Sequence, residues 1–151
     1  MTERVASRGY DTSIDRAGLA LAAGGLLGGA FAAVLVVLGG PPSPLGIVIG
    51  FIVGTVITAM AAIAVAGPLW LVAHAIGRRG PVTAALIGAI AGFALFLGGQ
   101  TYGFGLFTMP ATDARTLMFR WISAIATSLI LAALSAVIGL VMWRVAYRRI
   151  Y

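Results

Sequence analysis

Few side chains in this sequence are able to carry acid–base, metal-binding or covalent chemistry. His74 is the only histidine, so one copy of the chain can supply neither a bis-histidine haem site nor a histidine-rich metal site. Cysteine is absent, which excludes a disulfide, a thiolate metal site and a cysteine nucleophile. All ten Lys-or-Arg positions are arginine, so no lysine is present to form a Schiff base. We therefore expect a protein that is not an enzyme and that holds no cofactor or metal.

The four acidic residues are Glu3, Asp11, Asp15 and Asp113, and none of them lies inside a long apolar run. Proton relays and ion-coupled transporters place acidic side chains within the membrane. The positions of the acids in this chain are not typical of either class.

The composition of the chain is typical of a protein that lies in a membrane. The 151 residues are 61% hydrophobic and 9% charged, whereas about 25% of the residues of a typical soluble domain are charged. This excludes a soluble domain, a disordered chain and a nucleic-acid-binding domain. Although the net charge is +6, the arginines lie at the ends of apolar segments, so the predicted partner is the lipid bilayer and its phosphates rather than nucleic acid.

The apolar runs predict an all-α, polytopic membrane protein with a four-transmembrane-helix bundle. A membrane-spanning helix needs about 20 mostly apolar residues. We predict one membrane domain over residues 1–151, with a cytoplasmic segment at 1–16 and spans at about 17–38, 45–75, 82–98 and 121–143.

Local signals refine the ends of these spans. Thr12 and Asp15 fit a capping box, with Thr12 as the N-cap of the first helix. Pro68 predicts a kink in the long second span because proline cannot donate to the carbonyl four residues earlier. Residues 98–105 are rich in glycine and aromatic side chains and predict a loop at the interface, while Pro110 predicts an early position in the helix that leads into the last span.

The arginines predict the orientation of the bundle. Eight of them lie on the side of the two termini and the central turn, and two lie on the other side, so the positive-inside rule predicts N-in and C-in. The first group is Arg4, Arg8, Arg16, Arg78, Arg79, Arg144, Arg148 and Arg149, and the second is Arg115 and Arg120. Exclusive use of arginine with abundant alanine and glycine indicates a bacterium of high GC content, and hence its cytoplasmic (inner) membrane.

Small residues recur at helical spacing in every span. Such stripes let helix backbones approach within a bilayer, and they serve either internal packing, the interpretation we favour, or the docking of a partner helix. The candidate packing residues are Gly24, Gly28, Gly46, Gly50, Gly54, Gly88, Gly92, Ser128, Ser135 and Gly139.

Arginine and tryptophan at the ends of the spans are candidate lipid or interface anchors. These are Arg78, Arg79, Arg120, Trp121, Trp143 and Arg144. Arg120 is a candidate for binding a lipid phosphate or the carboxylate of a partner. For His74 we favour an interfacial side chain with its polar edge in water; the alternatives are a pH sensor or a porphyrin ligand in a larger assembly.

Two parts of the chain share a pattern. Arg16, Gly25 and Gly29 have the same spacing as Arg79, Gly88 and Gly92. The pattern indicates either a duplicated hairpin or a chance match between two sequences rich in alanine and glycine.

The function predicted by exclusion is that of a non-catalytic accessory or structural subunit of a larger membrane complex. Its partners would be other membrane-protein subunits or a second copy of the chain. The alternative is a small oligomeric channel or uniporter, with residues 100–105 near its mouth. Residues 101–105 match the outline of a potassium selectivity filter, but a full-length apolar span precedes them and no aspartate follows directly at the filter mouth.

Overall fold

The structure, a computed structural model, describes residues 10–41, 43–103, 110 and 113–149. Four helical segments in this part of the chain are long and apolar enough to span a membrane: Ile14–Leu38, Pro44–Ala75, Pro81–Gly103 and Ala114–Ala146. The prediction of an all-α protein with four candidate spans is confirmed.

The first helix, α1, covers Ile14–Leu38 and begins one residue later than predicted. Ser13 is its N-cap, with an extended backbone (φ −122°, ψ 163°) and a side-chain oxygen that accepts from the Arg16 N–H at 3.3 Å. The prediction of Thr12 as the N-cap was therefore wrong. Serine and threonine are both strong N-cap residues, so residue type alone does not distinguish Ser13 from Thr12.

The second span starts with helix α2, Pro44–Ala61. Ser43 caps it by accepting from the Gly46 N–H at 3.0 Å, and Pro44 occupies the first turn, where its missing N–H leaves no donor unsatisfied. None of the residues of α2 is buried.

The irregularity predicted at Pro68 takes the form of a widened turn. A π-helical turn, Ala62–Ala66, follows α2, and the Gly67 N–H bonds to the Ala62 carbonyl five residues earlier. Helix α3, Gly67–Ala75, then continues the span with proline in its first turn. The widened turn just before Pro68 is a recognised way of accommodating a break in the backbone hydrogen-bond ladder.

A tight turn joins α3 to helix α4, Pro81–Gly98. Gly77 has φ +77°, a left-handed conformation that favours glycine. A second π-helical turn, Gly99–Gly103, extends α4. The predicted loop over residues 98–105 is therefore wrong for the part that the structure describes, while residues 104 and 105 lie outside it.

Helix α5, Ala114–Ala146, is the longest of the helices described here. Asp113 is its N-cap and accepts from the Thr116 N–H at 2.9 Å. Pro110 lies outside the helix, so its prediction as an early helical residue was wrong. Hydrogen bonds from the Thr116 side chain and backbone hold the pKa of Asp113 below its usual value, which fits a carboxylate at a helix N-terminus.

The two ends of the chain meet in a short antiparallel pair of strands. Strand β1, Tyr10–Asp11, pairs with strand β2, Arg148–Arg149, with Tyr10 opposite Arg149. We call this side of the bundle the terminal end, and the side with residues 38–41 and 98–103 and the start of α5 the opposite end.

The four spans pack as two hairpins joined through α1 and α5. Helix α1 packs against α2 and α5, α4 packs against α5, and only α3 and the first π-helical turn connect the second span to α4. Apart from Tyr147, the buried residues in the described part are small (Ala20, Gly24, Gly25, Gly28, Gly29, Ala73, Ala91, Gly92, Thr101, Ala124, Ser128, Ala132 and Ala146).

In the first hairpin, two glycines of α1 enclose one hydroxyl residue of α2. A Cβ added at Gly25 would lie 3.3 Å from the Thr55 carbonyl oxygen, and one added at Gly29 would overlap the Thr55 hydroxyl. The Thr55 hydroxyl itself donates to the Phe51 carbonyl, four residues earlier, at 2.8 Å.

The second hairpin repeats this arrangement. A Cβ added at Gly88 would overlap the Ser135 carbonyl oxygen, and one added at Gly92 would overlap the Ser135 hydroxyl. The Ser135 hydroxyl also donates to a carbonyl four residues earlier, that of Leu131, at 2.9 Å. The two hairpins therefore share one kind of close contact, in which two glycines of one helix lie against a hydroxyl residue of the next.

Candidate functional site

The candidate packing residues of the first hairpin lie between α1 and α2. Each glycine is close to a side chain of the neighbouring helix, as judged from where an added Cβ would stand. The pairs are Gly28 with Thr58, Gly54 with Ala32, and both Gly50 and Gly46 with Val36. An added Cβ would lie 2.8 Å from a Val36 methyl carbon at Gly50 and 3.7 Å from one at Gly46.

The remaining candidate packing residues lie on α5, or on α1 and α4 where these helices pack against α5. The Ser128 side chain on α5 is fully buried. Gly88 and Gly92 lie against Ser135. A Cβ added at Gly139 would lie 2.7 Å from the Ala84 carbonyl oxygen, and one added at Gly24 would lie 2.5 Å from the Met142 Sδ.

The candidate anchors divide between the two ends of the bundle. At the terminal end, Trp143 Nε1 donates to the Arg79 carbonyl oxygen at 2.9 Å, whereas Arg78 and Arg144 are exposed. At the opposite end, Arg120 and Trp121 are half-buried. The structure thus joins two of the six anchors, Arg79 and Trp143, by a hydrogen bond.

Four aromatic rings of the terminal end form a cluster that we call the aromatic clamp: Trp70, His74, Trp143 and Tyr147. Trp70 Nε1 donates to the Tyr147 hydroxyl at 2.9 Å, and His74 Nδ1 lies 3.2 Å from the same oxygen. The His74 and Tyr147 rings are stacked with centroids 6.4 Å apart, and those of Trp143 and Tyr147 are 6.1 Å apart. The clamp therefore ties α3 to the residue that ends α5.

Tyr147 is the centre of this clamp and is only 8% exposed. Because the indole N–H can only donate, the Tyr147 oxygen accepts from Trp70 and its own proton can be donated to Nδ1 of a neutral His74 ring. Burial raises the pKa of Tyr147, against smaller opposing effects of the Trp70 hydrogen bond and the positive charge of Arg79. The phenol is therefore held neutral.

The structure gives His74 a protein partner, and sequence analysis missed it. The favoured interpretation was a ring edge in water, and the ring instead faces the Tyr147 hydroxyl. Trp70 and His74 share a helical face because they are four residues apart. Nothing in the sequence placed Tyr147, more than 70 residues away, on that face.

A second polar arrangement lies at the opposite end, between α4 and α5. Gln100 Nε2 donates to the Ser128 hydroxyl at 3.0 Å and to the Ala124 carbonyl at 3.3 Å. This links the second π-helical turn to the buried face of α5. Since Ser128 is fully buried, the amide supplies the hydrogen-bond partner that a buried hydroxyl needs.

An open groove of about 840 Å³ lies beside this link, between α4 and α5. We call it the α4–α5 groove. Arg120 lies in its wall with several hydroxyl and aromatic side chains. The lining residues are Leu95, Phe96, Gly99, Gln100, Thr116, Phe119, Arg120, Ser123, Ala124, Thr127 and Leu131.

Residues 101–103 do not have the conformation of a selectivity filter. They form part of the second π-helical turn, and the Thr101 hydroxyl donates to the Leu97 and Gly98 carbonyls at 2.8 and 3.1 Å. A filter needs backbone carbonyls that point towards an ion. Here the helical backbone directs its carbonyls along the helix.

Metal-binding groups are likewise not brought together among the described residues, where no three His, Asp or Glu side chains form a group able to hold an ion. No family model, curated protein or solved structure matches the chain.

Proposed function

We propose that this protein is a non-catalytic integral membrane protein that serves as an accessory or structural subunit of a larger membrane complex. The four apolar helices are compatible with integration into a bilayer. The choice of a subunit over a conducting or catalytic protein depends on what the polar side chains within the helices do.

The observation that carries the proposal is that these hydroxyls bond to their own helices. Thr55, Thr127 and Ser135 each donate to the carbonyl four residues earlier, at 2.8 to 2.9 Å. A hydroxyl used in this way offers little to a passing ion or solute. The internal bonds of these three hydroxyls support a packing role for the helices over a polar route.

A face of α1 supports the docking of a partner helix. Gly18 and Ala22 are exposed and four residues apart, so they lie on one side of the helix. A Cβ added at Gly18 would meet nothing within 4 Å. Small residues on an exposed face allow another helix backbone to approach closely in a bilayer.

Copurification at the native expression level tests the subunit proposal. We expect the tagged protein, released in a mild detergent, to carry another membrane protein in fixed proportion. An Ala22→Leu substitution should remove that partner, whereas Val56→Leu, on the exposed face of α2, should retain it. Mass spectrometry and size-exclusion chromatography would measure both. A lone monomer, or a partner retained by the Ala22 variant, would argue against docking on α1.

Ion flux into liposomes tests the alternative of a small oligomeric channel or uniporter. The purified chain is expected to give no flux above empty liposomes. A selective flux from wild type that is lost on substitution of Thr101, Gly103 or Gly105 would replace the subunit proposal with the channel.

We also propose a bacterial cytoplasmic membrane as the location, with both termini in the cytoplasm, on the strength of the arginine distribution. Alkaline phosphatase, which is active only outside the cytoplasm, should be active when fused after Gly40 and inactive when fused after Tyr151. A fluorescent protein that folds only in the cytoplasm should give the reverse pattern. Active phosphatase at Tyr151 would invert the proposed orientation.

A further inference from the structure

The α4–α5 groove has two chemically different ends. Near the start of α5 its wall contains the Arg120 guanidinium and the hydroxyl residues Thr116 and Ser123. Further along the helix the wall consists of the apolar side chains of Leu95, Phe96 and Leu131. A ligand that fits both ends must itself have a polar head and an apolar tail.

The charge at the polar end favours an anionic head. Arg120 is half-buried, and its nearest recorded polar contact is the Pro110 carbonyl at the hydrogen-bond limit of 3.5 Å. Asp113 is the only acidic residue of the described part at this end, and its carboxylate accepts from the Thr116 N–H. Arg115 adds a second positive charge, with its guanidinium carbon 5.7 Å from the centre of the Phe119 ring. The local balance is thus one negative against two positive charges.

The length of the groove matches one leaflet of a membrane. Arg120 and Leu131 are eleven residues apart on one helix, which corresponds to a rise of about 16 Å. The hydrocarbon core of a bilayer is about 30 Å thick, so this is roughly half of it. Trp121, next to Arg120, is the residue type expected at the level of the headgroups.

From these observations we infer that the α4–α5 groove binds one anionic phospholipid, with its phosphate at Arg120 and an acyl chain along Phe96 and Leu131. The volume of about 840 Å³ lies within the range of roughly 300–1,000 Å³ that is usual for ligand pockets. This site is independent of whether the protein is a subunit or a channel. It differs from general contact with surrounding lipid because a single molecule occupies a defined groove.

Native mass spectrometry of the full chain in detergent tests this inference. Titration with dioleoylphosphatidylglycerol should give one dominant lipid adduct, and dioleoylphosphatidylcholine should give a much weaker one. Arg120→Gln should weaken phosphatidylglycerol binding about fivefold, the effect of one arginine on an anionic headgroup. The matched control, Arg144→Gln, removes an equal charge from the same helix at the terminal end, far from the groove, and should leave the adduct nearly unchanged.

A second pair of variants tests the groove without altering charge. Thr127 is exposed and lines the groove, so Thr127→Phe should fill it and weaken the adduct. Ile130 is 65% exposed and does not line it, so Ile130→Phe should have no such effect. Equal phosphatidylglycerol binding in all four variants would overturn the inference, because it would indicate non-specific contact. Absence of a wild-type adduct would overturn it as well.

Discussion

Replacement of Gly88 by alanine is expected to lower the free energy of unfolding by about 1–3 kcal/mol, the usual cost of overpacking a close contact. The added Cβ would overlap the Ser135 carbonyl oxygen and lie 3.2 Å from the Ala136 Cα. Both atoms belong to the backbone of α5, so no side-chain rotation relieves the overlap. The two helices of the second hairpin would have to separate.

The same substitution at Gly98 is the matched control. Gly98 lies in the same helix, and a Cβ there would meet nothing within 4 Å. Since alanine favours a helix over glycine by up to about 1 kcal/mol, Gly98→Ala is expected to be neutral or stabilising. Unfolding in a detergent titration, or thermal unfolding in detergent, would measure the contrast. Equal stability of the two variants would show that the α4–α5 contact at Gly88 contributes little.

Tyr147→Phe is expected to destabilise the terminal end by about 1–3 kcal/mol, because it removes the partner of a buried donor. The lost hydroxyl accepts from Trp70 and contacts His74. Trp70→Phe removes the other side of the same hydrogen bond, so the double variant should lose less stability than the sum of the two single variants. Strict additivity would mean that the Trp70–Tyr147 bond contributes nothing measurable.

The same residue predicts how stability depends on pH. The folded pKa of Tyr147 is raised above the value of about 10 that the unfolded chain has. The contribution of the neutral Tyr147 phenol to the free energy of unfolding is therefore complete below about pH 10. It is lost as the pH rises from there through the folded pKa. Alkaline unfolding of wild type should be steeper than that of Tyr147→Phe, which retains every other tyrosine. Identical alkaline profiles would contradict a buried, neutral phenol.

Sequence patterns predicted the spans because length and hydropathy of a membrane helix follow from the thickness of the bilayer. Pro68 predicted a kink in the second span, and the structure has a π-helical turn, Ala62–Ala66, just before it. The start of α5 was misplaced because proline and aspartate are both common near a helix start, and the choice of Asp113 depends on its bond to Thr116. The helical state of residues 99–103 was missed because glycine-rich sequence weakens any helix prediction.

The candidate sites were less accessible to sequence analysis than the fold. The small residues were visible as periodic stripes, but the pairing of Gly88 with Ser135, or of Gly28 with Thr58, requires knowledge of which helices are neighbours. The aromatic clamp was not predicted because Tyr147 follows the last span and has no periodic relation to His74. The groove was not predicted either, since it is a space between α4 and α5 that no single segment encodes.

The pairing of β1 with β2 also has a consequence for biosynthesis. Tyr10–Asp11 is made before α1, but its partner, Arg148–Arg149, is made only after α5. The first hairpin has both of its helices long before then, and its glycine contacts can form during translation. The strand pair and the contacts of Tyr147 can form only once translation of the last helix is complete. The strand pair therefore forms after the first hairpin, and it joins the segment before α1 to the segment after α5.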